Sequence, residues 1–268
     1  MQDSSFRSRF TSRLGAFLAI AAVIGAIWYG AASLSYNWQW YRIPRLLLPG
    51  WRGDAWTWGP LAEGLRLTLV LAACSAPLAI AIGLAVALLE KSRLVSLRMF
   101  GRSYIELVRN TPLLVQLYLL YFMLANLLGI DRTAAGVLAL ALFEGAFAAE
   151  IFRAGIDAVP RGQRDAAGAL GLRPLAAFRL VYLPQSLPLI LPPLANLFVS
   201  LIKHSSIVSV VALPELTDIA RNLIADTYLT FEIWLVVALV YVVLCFALSL
   251  LIRLWEARLL ARVNGGRP

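Results

Sequence analysis

The sequence contains few of the residues that catalytic and metal sites in soluble proteins use. It has one histidine, two cysteines and a charged fraction of only 15%. This set does not supply the ligands of a zinc site, so no metal is expected. No serine stands in a nucleophile-elbow sequence, and no glycine-rich G-x-x-x-x-G-K-[S/T] phosphate loop occurs. We therefore predict a non-catalytic chain that carries no cofactor and does not itself bind ATP.

Long apolar segments dominate the sequence instead. Hydrophobic residues make up 60% of its 268 residues and the mean hydropathy is +0.77, whereas a soluble domain is about 45–50% apolar. A helix needs roughly 20 apolar residues to cross a bilayer. About six segments reach that length, namely residues 14–34, 62–89, 104–128, 134–156, 186–203 and 232–252. The prediction is an all-α, polytopic membrane helical bundle with about six transmembrane helices.

The net charge of +9 raises the question of nucleic-acid binding, but the basic residues alternate between successive loops. They concentrate before the first apolar segment, between the second and third, between the fourth and fifth, and after the last; the loop at 42–52 fits less well. This is the positive-inside pattern of a multi-pass protein with both termini in the cytoplasm. No nucleic-acid partner is predicted. The first apolar segment is too long for a cleaved signal peptide, so a retained span is expected.

A polar, arginine-rich segment between the fourth and fifth apolar runs breaks this pattern. Residues 161–173 contain Asp165-Ala166-Ala167, and Gly171 and Pro174 predict the end of a short helix. This helix is too short and too charged to span a bilayer, and its small side chains would let another protein approach closely. Together with Val181-Tyr182-Leu183-Pro184, the spacing resembles the loop signature of importer-type ABC permeases. The sequence departs from it conservatively, with Asp165 where Glu is usual and Val181 where Ile is frequent.

Three further runs resemble the polar amino acid subfamily of the ABC permeases. They lie at residues 104–122, 150–163 and 203–217, and include Arg109-Asn110-Thr111-Pro112 and Lys203-His204-Ser205-Ser206. The resemblance covers about residues 60–255. It implies a permease subunit that forms the translocation path of an ATP-driven importer in the bacterial cytoplasmic (inner) membrane. The partners that it implies are a cytoplasmic ABC ATPase dimer, an extracytoplasmic amino-acid-binding protein, and a second copy or a related permease.

The same resemblance gives the polar segment a role. In that family the short helix docks in a cleft of the ATPase subunit and transmits its motion, so residues 161–173 are expected to form a cytoplasmic coupling helix. The residues implied in ATPase coupling are Gly162, Asp165, Ala166, Ala167, Leu170 and Gly171.

The chain is expected to have three regions. Residues 1–60 would form an extra transmembrane helix and a Trp-rich outer loop, residues 61–256 the permease domain, and residues 257–268 a cytoplasmic tail. The loop at 35–60 carries five tryptophans, a residue type that favours the membrane–water interface. An interfacial belt is the simpler interpretation, and a docking surface for an extracytoplasmic partner is the alternative. The tryptophans are Trp38, Trp40, Trp51, Trp56 and Trp58.

Glu144 is the sharpest candidate for a chemical role inside the membrane. An ionised carboxylate at the middle of a span costs about 2.5–3.5 kcal/mol on insertion scales, so it should face the bundle interior or a wet cavity. It either lines the translocation path, where it would bind an ammonium group of the solute, or is a buried carboxylate that joins two helices. Glu150 and Arg153 are spaced to pair at a helix end, and Arg102, Glu106 and Arg109 to pair along one face. Further path-lining candidates are Arg109, Asn110, Lys203, His204, Ser205 and Ser206.

Two other classes of function stay open at this point. An ion-gradient-driven secondary carrier of small solutes would use Glu144 and Glu150 as proton or cation sites, but the sequence shows no inverted repeat. A membrane scaffold that transports nothing would use the polar segment as an interaction helix. ATP dependence separates a carrier from an ABC importer, and any solute flux excludes a scaffold.

Overall fold

The computed structural model describes residues 36–52, 55–125, 127 and 129–264, together with residues 22, 25, 29 and 30. The chain divides into two compact units, Met1–Trp40 and Tyr41–Pro268. The first predicted span, 14–34, lies outside the described residues apart from those four. The account that follows concerns the second unit.

This unit is almost entirely helical, with one short β-hairpin before the first long helix. Strands β1 (Gly50–Arg52) and β2 (Ala55–Thr57) pair antiparallel, with Trp51 opposite Trp56. The helices are α1 (Ile43–Leu47), α2 (Pro60–Glu90), α3 (Val95–Arg109), α4 (Leu113–Tyr118), α5 (Arg132–Asp157), α6 (Arg161–Ala169), α7 (Pro174–Ala177), α8 (Leu183–Val208), α9 (Leu216–Thr227) and α10 (Thr230–Asn264). Wider π-helical turns follow α4 at Leu119–Ala125 and α7 at Phe178–Tyr182.

Four continuous stretches of the described chain are long and apolar enough to cross a membrane. They are Pro60–Glu90, Arg132–Asp157, Pro174–Val211 and Thr230–Arg258. Local signals fix their ends: Pro60 occupies the first turn of α2, and the Asp131 carboxylate accepts hydrogen bonds from the first backbone amides of α5. Four prolines at 184, 188, 192 and 193 predict a kinked or interrupted fifth span. The stretch stays helical throughout, so the prediction of an interruption is wrong.

The predicted span 104–128 is not one straight helix. Helix α3 begins at Val95 and meets Leu113–Ala125 at an angle of 107°, across the break at Asn110–Pro112. Asn110-Thr111 before Pro112 predicts a bend at this point, because the residue before proline resists helical backbone angles, and the structure confirms it. The Asn110 amide and the Thr111 hydroxyl donate to carbonyls of the preceding turn, at 2.7 Å each.

Small residues bring the central helices into close contact. A Cβ added at Gly83 of α2 would lie 2.4 Å from the Ala148 Cβ of α5, and one at Gly155 would lie 2.2 Å from the Ile190 side chain of α8. Such small-residue contacts let membrane helices pack at short range. The core lies where α2, α5 and α8 meet, around Leu71, Leu140, Leu201 and Ile202. Only 11% of the membrane-spanning stretch of α10 is buried inside this chain.

Candidate functional site

A groove runs along α5. Three adjoining cavities of about 630, 480 and 370 Å³ line up beside this helix. Phe147 lines all three, Glu150 lines the first two, and Ile151 and Pro193 line the second and third. Because neighbouring cavities share these wall residues, we describe the three together as the groove.

Glu144 lies at one end of the groove, in contact with the single histidine of the chain. Its side chain is 4% exposed, and its Oε1 lies 2.7 Å from His204 Nδ1. The His204 ring is 36% exposed and stands edge-on to Phe143, with ring centroids 5.4 Å apart. Both residues line the 370 Å³ cavity. The pair joins α5 to α8 and presents a polar surface to the groove, so both interpretations of Glu144 remain compatible with its position.

The other candidates from the 203–206 run do not line these cavities. Ser205 is fully buried and donates to the Ile202 carbonyl at 2.8 Å. The Ser206 hydroxyl donates to the Lys203 carbonyl at 2.7 Å. The groove instead contains Asn196 and Ser200, about two helical turns and one helical turn before His204. Sequence reasoning missed these two, although their spacing of four residues places them on the same face of α8 as His204.

The opposite end of the groove is strongly charged. Arg109 forms an ion pair with Glu150, and its guanidinium lies 5.5 Å from the centroid of the Phe147 ring. Asn110 lines the same 630 Å³ cavity. The structure therefore brings Arg109 and Asn110 of the bend to α5, as a path-lining role requires. The predicted Glu150–Arg153 pair is present at 3.8 Å.

Pairing along α3 is a prediction that the structure corrects. Arg102 lies 3.9 Å from Glu90 of α2 and Arg109 contacts Glu150 of α5, while Glu106 has no ion pair among the described residues. The charges of α3 thus join it to neighbouring helices. Glu90 was missed because a carboxylate at the end of an apolar run looks like an ordinary helix end. Within the described part of the chain, no group of three potential metal ligands occurs.

Helix α6 occupies the predicted coupling segment but is shorter than residues 161–173. It ends at Ala169, and Gly171 adopts a left-handed conformation with φ of +65°. The amides of Gly171 and Leu172 donate to the carbonyls of Gly168 and Ala167, at 2.9 and 3.2 Å. This is a Schellman helix ending, which requires the positive φ that glycine adopts without strain.

The predicted coupling residues divide into an exposed set and one buried member. Leu170 is 77% exposed, and Gly162, Asp165, Ala166 and Gly171 are also exposed. Ala167 is 2% exposed, so its expected contact with another protein is corrected to a packing role within this chain. The exposed face combines one large apolar side chain with small residues, a surface on which another protein can pack closely.

Two acidic residues at the start of α9 are buried. Glu215 is fully buried and Asp218 is 7% exposed. Glu215 begins α9, accepting from the Thr217 and Asp218 amides at 2.8 and 3.0 Å and from the Thr68 and Tyr241 hydroxyls at 3.2 and 3.1 Å. Burial raises the pKa of Glu215, and these hydrogen bonds oppose the rise. The residue joins α2, α9 and α10.

Comparisons with known proteins agree with this architecture. Residues 56–261 match the family described as binding-protein-dependent transport system inner membrane component. The chain is similar to the probable glutamine ABC transporter permease protein GlnM of Bacillus subtilis (36% identity, covering 74% of this chain and 92% of the relative). It is also similar to the octopine transport system permease protein OccM of Rhizobium radiobacter (34% identity, covering 75% and 86%).

Solved structures give the same result. An amino acid ABC transporter crystallised with histidines matches at 40% identity and a TM-score of 0.70, covering 74% of this chain and 94% of that one. The MetNI methionine ABC transporter in an inward-facing conformation matches at 21% identity and a TM-score of 0.61, covering 76% and 95%. At that identity the second match supports the fold alone.

Proposed function

Because the chain belongs to the family of binding-protein-dependent transport system inner membrane components, we propose that it is the permease subunit of an ATP-driven importer of polar amino acids. The observation that carries the substrate class is its similarity, over most of their length, to permeases named for glutamine and octopine transport. The ATP-binding step belongs to a separate subunit, since the sequence has no phosphate-binding loop.

The groove along α5 is the proposed translocation path. A polar amino acid carries an ammonium and a carboxylate group, and the groove offers a carboxylate at Glu144 and a guanidinium at Arg109 for them. Each of these groups already has a partner, His204 or Glu150. Solute binding would therefore exchange partners within preformed polar contacts, which limits the cost of desolvation.

Helix α6 is the proposed contact for a cytoplasmic ABC ATPase dimer. Its exposed face, from Gly162 to Gly171, would pack in the ATPase cleft, with Leu170 as the apolar anchor. An extracytoplasmic amino-acid-binding protein would deliver the solute, and a second permease, identical or related, would close the groove. In this proposal the chain lies in the bacterial inner membrane with both termini in the cytoplasm, which the positive-inside pattern supports.

The test is a gentle detergent pull-down of the tagged chain from its native membrane. The eluate is assayed for ATPase activity with a panel of amino acids and the soluble extracytoplasmic fraction. A co-eluting ATPase that one class of amino acid stimulates would establish the importer and its substrate. A chain that elutes alone and lacks ATPase activity would contradict the proposal and favour a gradient-driven carrier.

A further inference from the structure

Helix α6 is tied to the ends of α2 and α5 by charged side chains. Arg164 donates to the backbone carbonyls of Ile156 and Asp157, at 3.0 Å each, and lies 3.9 Å from the Asp157 carboxylate. Asp157 in turn forms an ion pair with Lys91, the residue after α2. A displacement of α6 must therefore move the ends of both α2 and α5, unless these contacts break.

Glu90, the neighbour of Lys91, lies between two arginines without a full hydrogen bond to either. Its side chain is 10% exposed, with Oε1 3.9 Å from Arg102 Nε and Oε2 3.7 Å from Arg153 Nε. Oε2 is buried and has no hydrogen-bond partner among the described residues. Buried polar atoms in native proteins are satisfied in the great majority of cases, and an exception calls for an explanation.

Arg153 is held between two carboxylates in the same way. It lies 3.7 Å from Glu90 and 3.8 Å from Glu150, both beyond hydrogen-bond range. Glu150 also holds Arg109 at the charged end of the groove. A shift of Arg153 by less than 1 Å would complete a hydrogen bond with one carboxylate and weaken its contact with the other.

We propose that Glu90 is a positioning residue that links movement of α6 to the Arg109–Glu150 pair of the groove. When α6 moves the ends of α2 and α5 together, Glu90 closes on Arg153 and satisfies its unpaired oxygen. Arg153 then moves away from Glu150, which changes the hold of Glu150 on Arg109. The proposal rests on the proposed importer function. It adds that movement of α6 reaches the Arg109–Glu150 pair of the groove through the buried carboxylate of Glu90.

The experiment measures the coupling ratio, which is the amount of solute taken up per ATP hydrolysed. The complex purified from native membranes is reconstituted in vesicles and supplied with labelled L-glutamine or L-arginine. For Glu90→Gln we expect ATPase activity to persist while the coupling ratio falls at least about fivefold, the lower end of typical coupling between sites. Glu90→Asp keeps the charge and should restore part of the ratio.

The matched control is Glu63→Gln at the other end of α2. Glu63 is exposed and pairs with Arg66 at 3.2 Å, so the coupling ratio of the Glu63→Gln complex should equal that of the wild type. Arg153→Gln should resemble Glu90→Gln, and the double variant should lose no more than either single change, because both remove one shared contact. If Glu90→Gln does not accumulate, Arg153→Gln carries the same prediction.

The outcomes separate this inference from the function on which it rests. Wild-type uptake with an unchanged coupling ratio in Glu90→Gln and Arg153→Gln would overturn the link and leave the importer intact. If the double variant lowers the coupling ratio by the product of the two single-variant factors, the two residues act independently, which would also overturn the link. A wild-type complex without ATP-driven uptake of either amino acid would overturn the importer proposal, and the link with it.

Discussion

Glu144 is the residue whose charge bears most directly on solute binding. Glu144→Gln keeps its size and a possible contact with His204 but removes the negative charge that we assign to the solute ammonium group. A hydrogen bond to a charged group contributes about 1.5–3 kcal/mol, so the solute concentration for half-maximal uptake should rise roughly tenfold or more. Initial uptake rates against solute concentration measure this. Unchanged affinity and rate would leave Glu144 as a tie between α5 and α8.

We expect Glu215 to make stability depend on pH. Its pKa in the folded chain is raised above the ordinary value of 4.5 by burial, so the folded state holds this proton more tightly than the unfolded state. The resulting stability is fully present below pH 4.5 and is lost as the pH rises through the folded pKa.

Replacing Glu215 tests that dependence. Glu215→Gln does not titrate, so the apparent melting temperature of the wild type should fall relative to this variant as the pH rises above 4.5. Thermal unfolding in detergent over a pH series measures it. Asp226→Asn, an exposed change in the same helix α9, is the control and should follow the wild type. A constant difference between wild type and Glu215→Gln would contradict the prediction.

At the scale of the element, the backbone conformation at the end of α6 determines the effect of a substitution at Gly171. Gly171→Arg adds bulk to the proposed docking face and also forces a left-handed conformation that costs about 1–2 kcal/mol for a residue with a side chain. We expect insertion and abundance to persist while ATP-driven uptake is lost. Gly171→Asn is the matched variant, because Asn tolerates this conformation and adds less bulk, and it should keep part of the uptake. Normal uptake by Gly171→Arg would refute the docking assignment.

The β-hairpin is a second element with a testable position. Trp51 and Trp56 are 72% and 62% exposed, and a Cβ at Gly59 would lie 2.3 Å from the Leu46 carbonyl oxygen, which fixes the hairpin exit against α1. The hairpin ends just before α2 enters the membrane. Its indole rings should therefore lie at the lipid headgroups.

Brominated lipids test the hairpin position. The fluorescence difference between wild type and Trp51→Phe/Trp56→Phe isolates the signal of these two side chains. Lipid brominated near the headgroup should quench that difference more strongly than lipid brominated deep in the acyl chain. A difference signal that neither lipid quenches would favour a surface for an extracytoplasmic protein.

At the scale of the whole molecule, labelling at two exposed positions tests the orientation of the chain in the membrane. Tyr228, between α9 and α10, is 82% exposed and Leu170, after α6, is 77% exposed. In a background without Cys74 and Cys245, Tyr228→Cys should react with a membrane-impermeant maleimide in intact cells. Leu170→Cys should react only in inverted vesicles from which the ATPase has been stripped, because the proposed docking covers this position. The reverse pattern would contradict the positive-inside assignment.

The spans could be predicted from the sequence where local signals coincide with apolar runs. The predicted segments 62–89 and 134–156 differ from α2 and α5 by one or two residues at each end, because Pro60 and Asp131 mark their starts. The 107° angle between α3 and Leu113–Ala125 could not be predicted. A proline predicts a bend, but its size depends on contacts between distant elements, such as Arg109 with Glu150.

The site was predictable residue by residue but not as an arrangement. Glu144 stands out as a carboxylate within an apolar run, and His204 as the single histidine. Their contact joins residues 60 positions apart, and no periodicity within one helix encodes it. The surroundings of Glu90 and Glu215 were not predictable either, because each comes from three different helices.

The close approach of Gly155 to Ile190 leaves no room between α5 and α8 at this point, so a tilt of α5 against α8 would pivot there. From Gly155 the helix extends two residues to its end at Asp157, about 3 Å at 1.5 Å per residue, and eleven residues to Glu144, about 16 Å. Such a tilt would move Glu144 roughly five times as far as the end of α5, and in the opposite direction. A small movement at the α6 side would thereby produce a larger one at the Glu144 end of the groove.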